Sequence, residues 1–206
     1  MQVLLKQKNK DLYSGEFEIF NQEELIGNIW FNGSIDSMEA NISGTFYDKK
    51  ISLNFVSKIL TGTNKKFRPY KIIENNNIEG EIFHTEYKKN IFSKYGYTKC
   101  LHNQKEYELY SIGLGKKSVC CLYCGEQQIA QIEKDGIIYN DLHNYDIYSI
   151  DKDGAFIAVL MSCYMYITSC YNPGIKVTKS INKIYSKTIN KDLISKYNVE
   201  WINNIK

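Results

Sequence analysis

The uncharged stretch from Gly154 to Tyr171, GAFIAVLMSCYMYITSCY, constrains the fold more than any other part of the chain. It contains no charged residue, no proline and no amide side chain, so it predicts a helix that is apolar on every face. Such a helix has to be buried on all sides, either by the rest of the protein or by lipid. Pro173 and Gly174 follow this stretch and predict the end of the helix.

The residues before this helix predict strands. Short alternating runs such as Glu16–Asn21 are separated by turn signals such as Asn32-Gly33, at a spacing of roughly 8–12 residues. The chain has seventeen tyrosines and nine phenylalanines but two prolines, which favours strands because aromatic side chains suit a pleated, half-buried surface. No long helical period interrupts these runs. We therefore expect a mainly β protein, a closed barrel of about a dozen strands around the helix at 154–171.

Two other placements of the helix are alternatives, a membrane span and a helix packed on one face of a sheet. Seventeen residues of helix are about 26 Å long, whereas the hydrocarbon core of a bilayer is ~30 Å thick. Ser162 and Thr168 are typical of a protein interior, and Asp151 and Asp153 stand where a span would favour basic residues. These features favour the central helix inside a barrel.

The charge divides the chain into two parts. Residues 172–206 carry seven lysines against Asp192 and Glu200, whereas the whole chain has a net charge of +3, so residues 1–171 are slightly acidic. We expect one barrel domain with its helix over 1–171 and a basic tail over 172–206. The start of the chain, MQVLLKQKNK, lacks the apolar stretch of a secretory signal, so we expect a cytoplasmic protein with mainly reduced thiols.

The tail shows a helical pattern. Its apolar residues recur at helical spacing and its lysines recur every four residues on another face, which predicts a basic amphipathic helix. This helix either caps the barrel or contacts an anionic membrane or a protein partner. The apolar positions are Ile181, Ile184, Tyr185, Ile189, Leu193, Tyr197 and Trp201, and the lysines are Lys179, Lys183, Lys187 and Lys191.

The segment 107–171 resembles the tubby C-terminal-like superfamily, which includes tubby proteins, LURP-one-related proteins and phospholipid scramblases. The residues that carry the resemblance are Tyr107–Gly115 (YELYSIGLG), Ile129–Glu133 (IAQIE), Tyr145–Ile150 (YDIYSI) and the helix. The chain looks most like the small bacterial members. The resemblance implies a closed barrel around a buried hydrophobic helix, without enzymatic activity, and in tubby proteins one that binds phosphoinositide head groups.

The chain departs from the family at two binding motifs. Tubby proteins place a Lys-x-Arg pair just after an Ile-Gly, but here Ile26-Gly27 is followed by Asn-Ile-Trp, without either basic residue. Scramblases carry an acidic calcium-binding segment beside their helix. Asp146, Asp151 and Asp153 resemble it in composition only, because the later glutamate of a calcium loop is missing. These aspartates favour a turn.

The cysteines form one pattern with metal-binding potential. Cys121 and Cys124 have Cys-x-x-Cys spacing, and Cys100 and His102 complete a possible set of four zinc ligands. A redox pair is a further alternative. However, this run predicts a strand, in which positions three apart point to opposite faces. Strand packing is therefore the favoured interpretation.

Two basic loops are candidates for an anion-binding surface, although polar loops of a barrel are usually only solvated, which is the favoured interpretation. They contain Lys65, Lys66 and Arg68 in one loop and Lys116 and Lys117 in the other. The second loop, GLGKK, lacks the spacing of a phosphate-binding loop and leads into a strand. The three histidines show no local spacing that indicates a catalytic arrangement, so the sequence favours a protein that is not an enzyme and has no cofactor.

Three hypotheses follow for the function. The first is a non-catalytic barrel that binds lipid head groups or an anionic membrane surface, peripheral at the inner face of the membrane. The second is a protein-interaction or structural module without a small-molecule ligand. The third is a small zinc-binding protein. Nucleic acid is not an expected partner, and the sequence leaves the ligand and the oligomeric state open.

Overall fold

We describe the protein from a computed structural model. It describes residues 1–33, 40–56, 67–88, 94–134, 136–138, 140–171, 173–175, 179, 181–182 and 185–205.

Twelve antiparallel strands form a closed barrel, which confirms the predicted fold class. Each barrel strand pairs with the next barrel strand along the chain, and the last one closes the sheet by pairing with β1. The barrel strands are β1 (Gln2–Lys10), β2 (Ser14–Asn21), β3 (Glu24–Gly33), β4 (Ala40–Phe46), β5 (Lys49–Phe55), β6 (Phe67–Glu74), β7 (Asn77–Lys88), β8 (Lys94–His102), β9 (Lys105–Gly113), β10 (Ser118–Cys124), β11 (Gln127–Lys134) and β13 (Asn144–Ser149). The remaining elements are the paired strands β12 (Ile137–Ile138) and β14 (Ile181–Asn182) and the helices α1 (Lys152–Ser169) and α2 (Lys191–Ile194).

The helix α1 fills the barrel. Every residue from 154 to 164 is buried, which is three helical turns without an exposed face. The carboxylate of Asp151 begins the helix by accepting a hydrogen bond from the backbone N–H of Gly154 at 2.7 Å. The predicted central helix is therefore confirmed, with its bounds shifted by two residues to Lys152–Ser169.

Along the barrel strands, apolar side chains alternate with polar ones, and the apolar side chains form the inner wall around this helix. On β2, Phe17 and Ile19 are buried while Glu16 and Glu18 between them are partly exposed. The ring of Phe17 meets that of Tyr166 on α1 edge to face, with centroids 5.0 Å apart. On β4 and β6, the rings of Phe46 and Tyr70 likewise pack against Phe156 and Tyr164 of α1, so the core is continuous from helix to sheet.

The two ends of the barrel differ in their connections. At the end where α1 begins, every connection between consecutive elements is two residues long. Asn75-Asn76 and Asn103-Gln104 have positive φ at both turn positions, as a type I′ hairpin turn requires. At the end where α1 terminates, successive barrel strands are separated by three to eleven residues. The longer connections, which carry binding sites more often than tight turns do, are thus gathered at one end.

The tail departs from the predicted amphipathic helix. A C-terminal helix is present, but α2 is a single turn, and Tyr185–Asn190 before it have no regular structure. Ile189, predicted on the apolar face, is 88% exposed, while Leu193 is buried against the outer side of the barrel. The backbone of this segment bonds to the turn between β9 and β10 instead of to itself, because Thr188 N–H donates to Gly113 O at 2.9 Å.

Candidate functional site

The two ends of the barrel carry opposite charge. We call the end where α1 terminates the basic rim and the opposite end the acidic rim. Among the described residues, the exposed cations of the basic rim are Arg68, Lys88, Lys94, Lys116 and Lys117, interspersed with the exposed carboxylates of Asp11 and Glu86. Glu86 pairs with Lys94 at 2.8 Å. The exposed carboxylates of the acidic rim are Glu23, Glu24, Asp48, Glu126, Asp151 and Asp153, interspersed with Lys50, Lys105 and Lys152.

Large apolar side chains stand exposed among the cations of the basic rim. Leu12 is 44% exposed, Phe67 48%, Leu114 37% and Ile175 54%. Leu12 and Ile175 are held close in the backbone, because the N–H of Gly174, which precedes Ile175, donates to Leu12 O at 2.7 Å. The acidic rim also exposes apolar residues, such as Ile78, so the combination with positive charge is what distinguishes the basic rim.

Arg68 connects the basic rim to the central helix. Its guanidinium Nη1 donates to the backbone carbonyl of Thr168, in the last turn of α1. That turn contains no basic residue of its own, so Arg68 supplies a cation at the negative end of the helix dipole. Arg68 has a φ of 48°, in the left-handed region that a residue with a side chain rarely adopts. The hydroxyl of Tyr164 donates to its carbonyl at 3.1 Å and holds this backbone in place.

A buried polar network lies beneath the basic rim. The ammonium of Lys10 pairs with Asp141, and His143 Nε2 lies 3.4 Å from the other oxygen of that carboxylate. Gln7 joins this network to the helix. Its Nε2 donates to the Tyr166 hydroxyl at 3.0 Å, and its Oε1 accepts a hydrogen bond from the backbone N–H of His143 at 2.9 Å.

The charges around Asp141 decide its protonation state. Burial alone would raise the pKa of Asp141, but the hydrogen bonds and positive charge of His143 and Lys10 outweigh burial and hold the pKa below its ordinary value. Asp141 is therefore ionised at neutral pH.

The sequence analysis did not predict this network, because 136 residues separate Gln7 from His143 and only the closure of the barrel brings them together.

The four possible zinc ligands do not converge. Cys121 packs in the cluster outside the barrel with Tyr110, whereas Cys100 lies in the central core and Cys124 packs against that core. His102 pairs with the carboxylate of Glu74. In the parts of the chain that the structure describes, no group of three or more His, Cys, Asp or Glu side chains comes together as a metal site.

Within the described residues, the lysines predicted as an anion-binding surface lie in two places. Lys116 and Lys117 lie exposed on the turn between β9 and β10, at the same rim as Arg68, and Lys117 pairs with Glu133 at 3.0 Å. On the tail, Lys179, Lys187 and Lys191 are exposed, and Lys187 adjoins Thr188, which bonds to that turn. Lys65, Lys66 and Lys183 lie outside the described residues.

The positions of the two family binding motifs have other roles in this fold. Asn28, where tubby proteins begin their basic pair, donates to the carboxylate of Glu16 at 2.7 Å, so an acidic group adjoins this position. Asp151, part of the scramblase-like acidic segment, caps α1. The predicted turn over 151–154 is wrong for its last three residues, because Lys152–Gly154 form the first turn of α1 and Asp151 alone stands at the junction between β13 and α1.

Within the described ranges, no helix has the length and apolar character needed to cross a membrane. Comparison of the chain with family models, with curated proteins and with solved structures found no match.

Proposed function

We propose that this protein is a non-catalytic β-barrel whose basic rim binds an anionic membrane surface. The observation that carries the proposal is the coincidence of exposed cations and exposed apolar side chains at one end of the barrel, opposite an acidic end. A basic residue near an anionic bilayer contributes about 1 kcal/mol. Leu12, Phe67 and Leu114 add apolar surface that enters the boundary between head groups and acyl chains.

The charge distribution also favours one orientation. At the basic rim, the described exposed cations outnumber the exposed carboxylates Asp11 and Glu86 and attract lipid phosphates, while the carboxylates of the acidic rim are repelled by them. The barrel axis would therefore be roughly perpendicular to the membrane surface, with the C-terminal end of α1 facing the lipid. The resemblance to the tubby-like superfamily agrees with a lipid-binding role, although the binding surface proposed here differs from the tubby motif.

Flotation with vesicles tests the proposal. The full chain is mixed with vesicles of phosphatidylcholine alone, or with about a third of phosphatidylserine, at low and at high salt. We expect binding to the anionic vesicles only, weakened by salt because salt screens the attraction between exposed charges. Absence of binding at low salt would contradict the proposal and would favour the protein-interaction module.

Two matched variants locate the binding surface. Lys88→Glu with Lys116→Glu reverses two cations of the basic rim, and Lys50→Glu with Lys105→Glu reverses two exposed lysines at or beside the acidic rim. Both variants change the net charge by the same amount. We expect the first to lose at least about tenfold in affinity, from two contributions of about 1 kcal/mol. Equal losses in both variants would show that net charge, and not this rim, determines binding.

A further inference from the structure

A cluster of thiols lies at the inner side of the basic rim. Lys134 Nζ is 2.9 Å from the sulfur of Cys170, the residue that ends α1. Lys134 and Tyr145 are opposite each other in the pairing of β11 with β13, and the Lys134 ammonium lies 5.2 Å from the centre of the Tyr145 ring. We call Cys120, Cys163, Cys170, Lys134 and Tyr145 the thiol cluster.

The three cysteines of the cluster differ in their access to solvent. Burial raises the pKa of Cys120 to about 11 and that of Cys163 to about 12, so both remain protonated and unreactive at neutral pH. Cys170 is only half-buried. It is therefore the member of the cluster that a small polar reagent reaches.

Tyr145 provides an independent observation at the same place. Its side chain is 1% exposed, and its hydroxyl has no hydrogen-bond partner among the described residues. Burial, followed by the nearby Cys170, raises the pKa of this hydroxyl well above its ordinary value, so it keeps its proton. A buried donor without an acceptor is uncommon. Because Tyr145 and Cys170 both lie beside the Lys134 ammonium, an oxygen atom added to the Cys170 sulfur is the acceptor that we assign to this hydroxyl.

We propose that Cys170 is an oxidant-sensitive thiol that hydrogen peroxide converts to a sulfenic acid, which Lys134 and Tyr145 stabilise. The sulfur of Cys170 attacks one peroxide oxygen and forms the S–O bond while the O–O bond breaks. The second oxygen takes up the thiol proton, relayed by the Lys134 ammonium, and leaves as water. The sulfur is oxidised by two electrons and the peroxide is reduced by two.

The chain contains its own control cysteine. Cys124 is also half-buried, but it packs against the core near the acidic rim, and among the described residues no lysine or arginine donates a hydrogen bond to its sulfur. Exposure alone predicts similar reactivity for the two thiols. The cation beside Cys170 is therefore the feature that separates them.

Trapping of sulfenic acid with dimedone tests the inference. The full-length protein is treated with hydrogen peroxide and dimedone, and labelled peptides are quantified by mass spectrometry over time. We expect Cys170 to be labelled about tenfold faster than Cys124, the factor that one charge-assisted hydrogen bond supplies. Equal labelling of the two cysteines in the native protein, or labelling of Cys124 alone, would overturn the proposal.

Variants then test whether Lys134 itself is responsible for the faster labelling of Cys170. Lys134→Met should reduce the ratio of Cys170 to Cys124 labelling to about one, whereas Lys117→Met, which removes an exposed lysine of the same rim, should leave the ratio unchanged. Tyr145→Phe should allow oxidation of Cys170 but shorten the lifetime of the sulfenic acid. An unchanged ratio in a folded Lys134→Met variant, with folding checked by thermal unfolding, would contradict the role of the lysine. If that variant does not fold, the ratio in the native protein decides.

Discussion

The backbone of Ser186 in the tail occupies the space that a side chain on Gly113 would fill. A Cβ atom added to Gly113 would lie 1.9 Å from the Ser186 carbonyl oxygen. On either side of this contact, the tail bonds to the turn between β9 and β10, through Thr188 to Gly113 and through Tyr185 to Gly115. The glycine is therefore what allows the tail to lie against the barrel.

Gly113→Ala should detach the tail. The contact involves backbone, which side-chain rotation cannot relieve, so the variant loses about 1–3 kcal/mol or releases the segment. We expect rapid proteolysis within residues 185–201 while the barrel stays intact. Lys116→Ala, an exposed position on the same turn, is the control and should leave the cleavage rate unchanged. Equal protection of both variants would show that the tail does not depend on this contact.

Ala158→Asp should prevent folding. Ala158 is fully buried in the middle of α1, and a carboxylate there has no partner, which costs several kcal/mol. Ser169→Asp places the same group on an exposed position of the same helix and should cost about 1 kcal/mol at most, through the helix dipole. Soluble yield and thermal unfolding distinguish the two. A cooperatively unfolding Ala158→Asp protein would contradict the central position of the helix.

Asp141 should make the protein sensitive to acid. Its pKa is lower in the folded state than the ordinary 3.8, so its contribution to stability is complete above about pH 5. That contribution is lost as the pH falls through the folded pKa, below about 4. Denaturant unfolding between pH 3 and 7 should show this loss in the native protein, and Asp141→Asn should flatten the dependence in this window.

The same variant should be destabilised at neutral pH. Asp141→Asn leaves Lys10 charged and buried without its carboxylate, which costs about 2–4 kcal/mol. Glu106→Gln disrupts the more exposed pair with Lys99 and should cost less than about 1 kcal/mol. If both variants lose the same stability, the buried pair is no stronger than a surface pair.

Arg68→Gly should be more stable than Arg68→Ala. Both variants lose the bond to Thr168, but glycine adopts the positive φ of this residue without the cost of roughly 1 kcal/mol that a Cβ imposes. At Lys71, an exposed position of the same strand without positive φ, the order should be the reverse, with alanine more stable. The denaturant midpoints of the four variants measure both differences in stability. If the alanine variant is more stable than the glycine variant at both positions, the strain at Arg68 is contradicted.

The central helix and the strands around it were predictable because their signals are local. An uncharged run of eighteen residues has to be buried, and period-two alternation marks one face of each strand for the core. The helical prediction for residues 185–190 of the tail was wrong for the opposite reason. Its apolar residues have helical spacing, but hydrogen bonds to the turn between β9 and β10 hold Tyr185 and Thr188 outside any helix, and Ile189 is exposed.

The sequence by itself determined where the central helix lies, which face of the strands is apolar and that the chain forms a mainly β fold, because hydrophobic periodicity acts over a few residues. Only the tertiary structure decided how the charges are arranged. Antiparallel pairing sends alternate connections to opposite ends, so Arg68 and Lys116 come to one rim and Glu24 and Glu126 to the other. Closure of the barrel brings Gln7 to His143, and the position of α1 inside the barrel brings Cys170 to Lys134 on β11, although both pairs are distant in sequence.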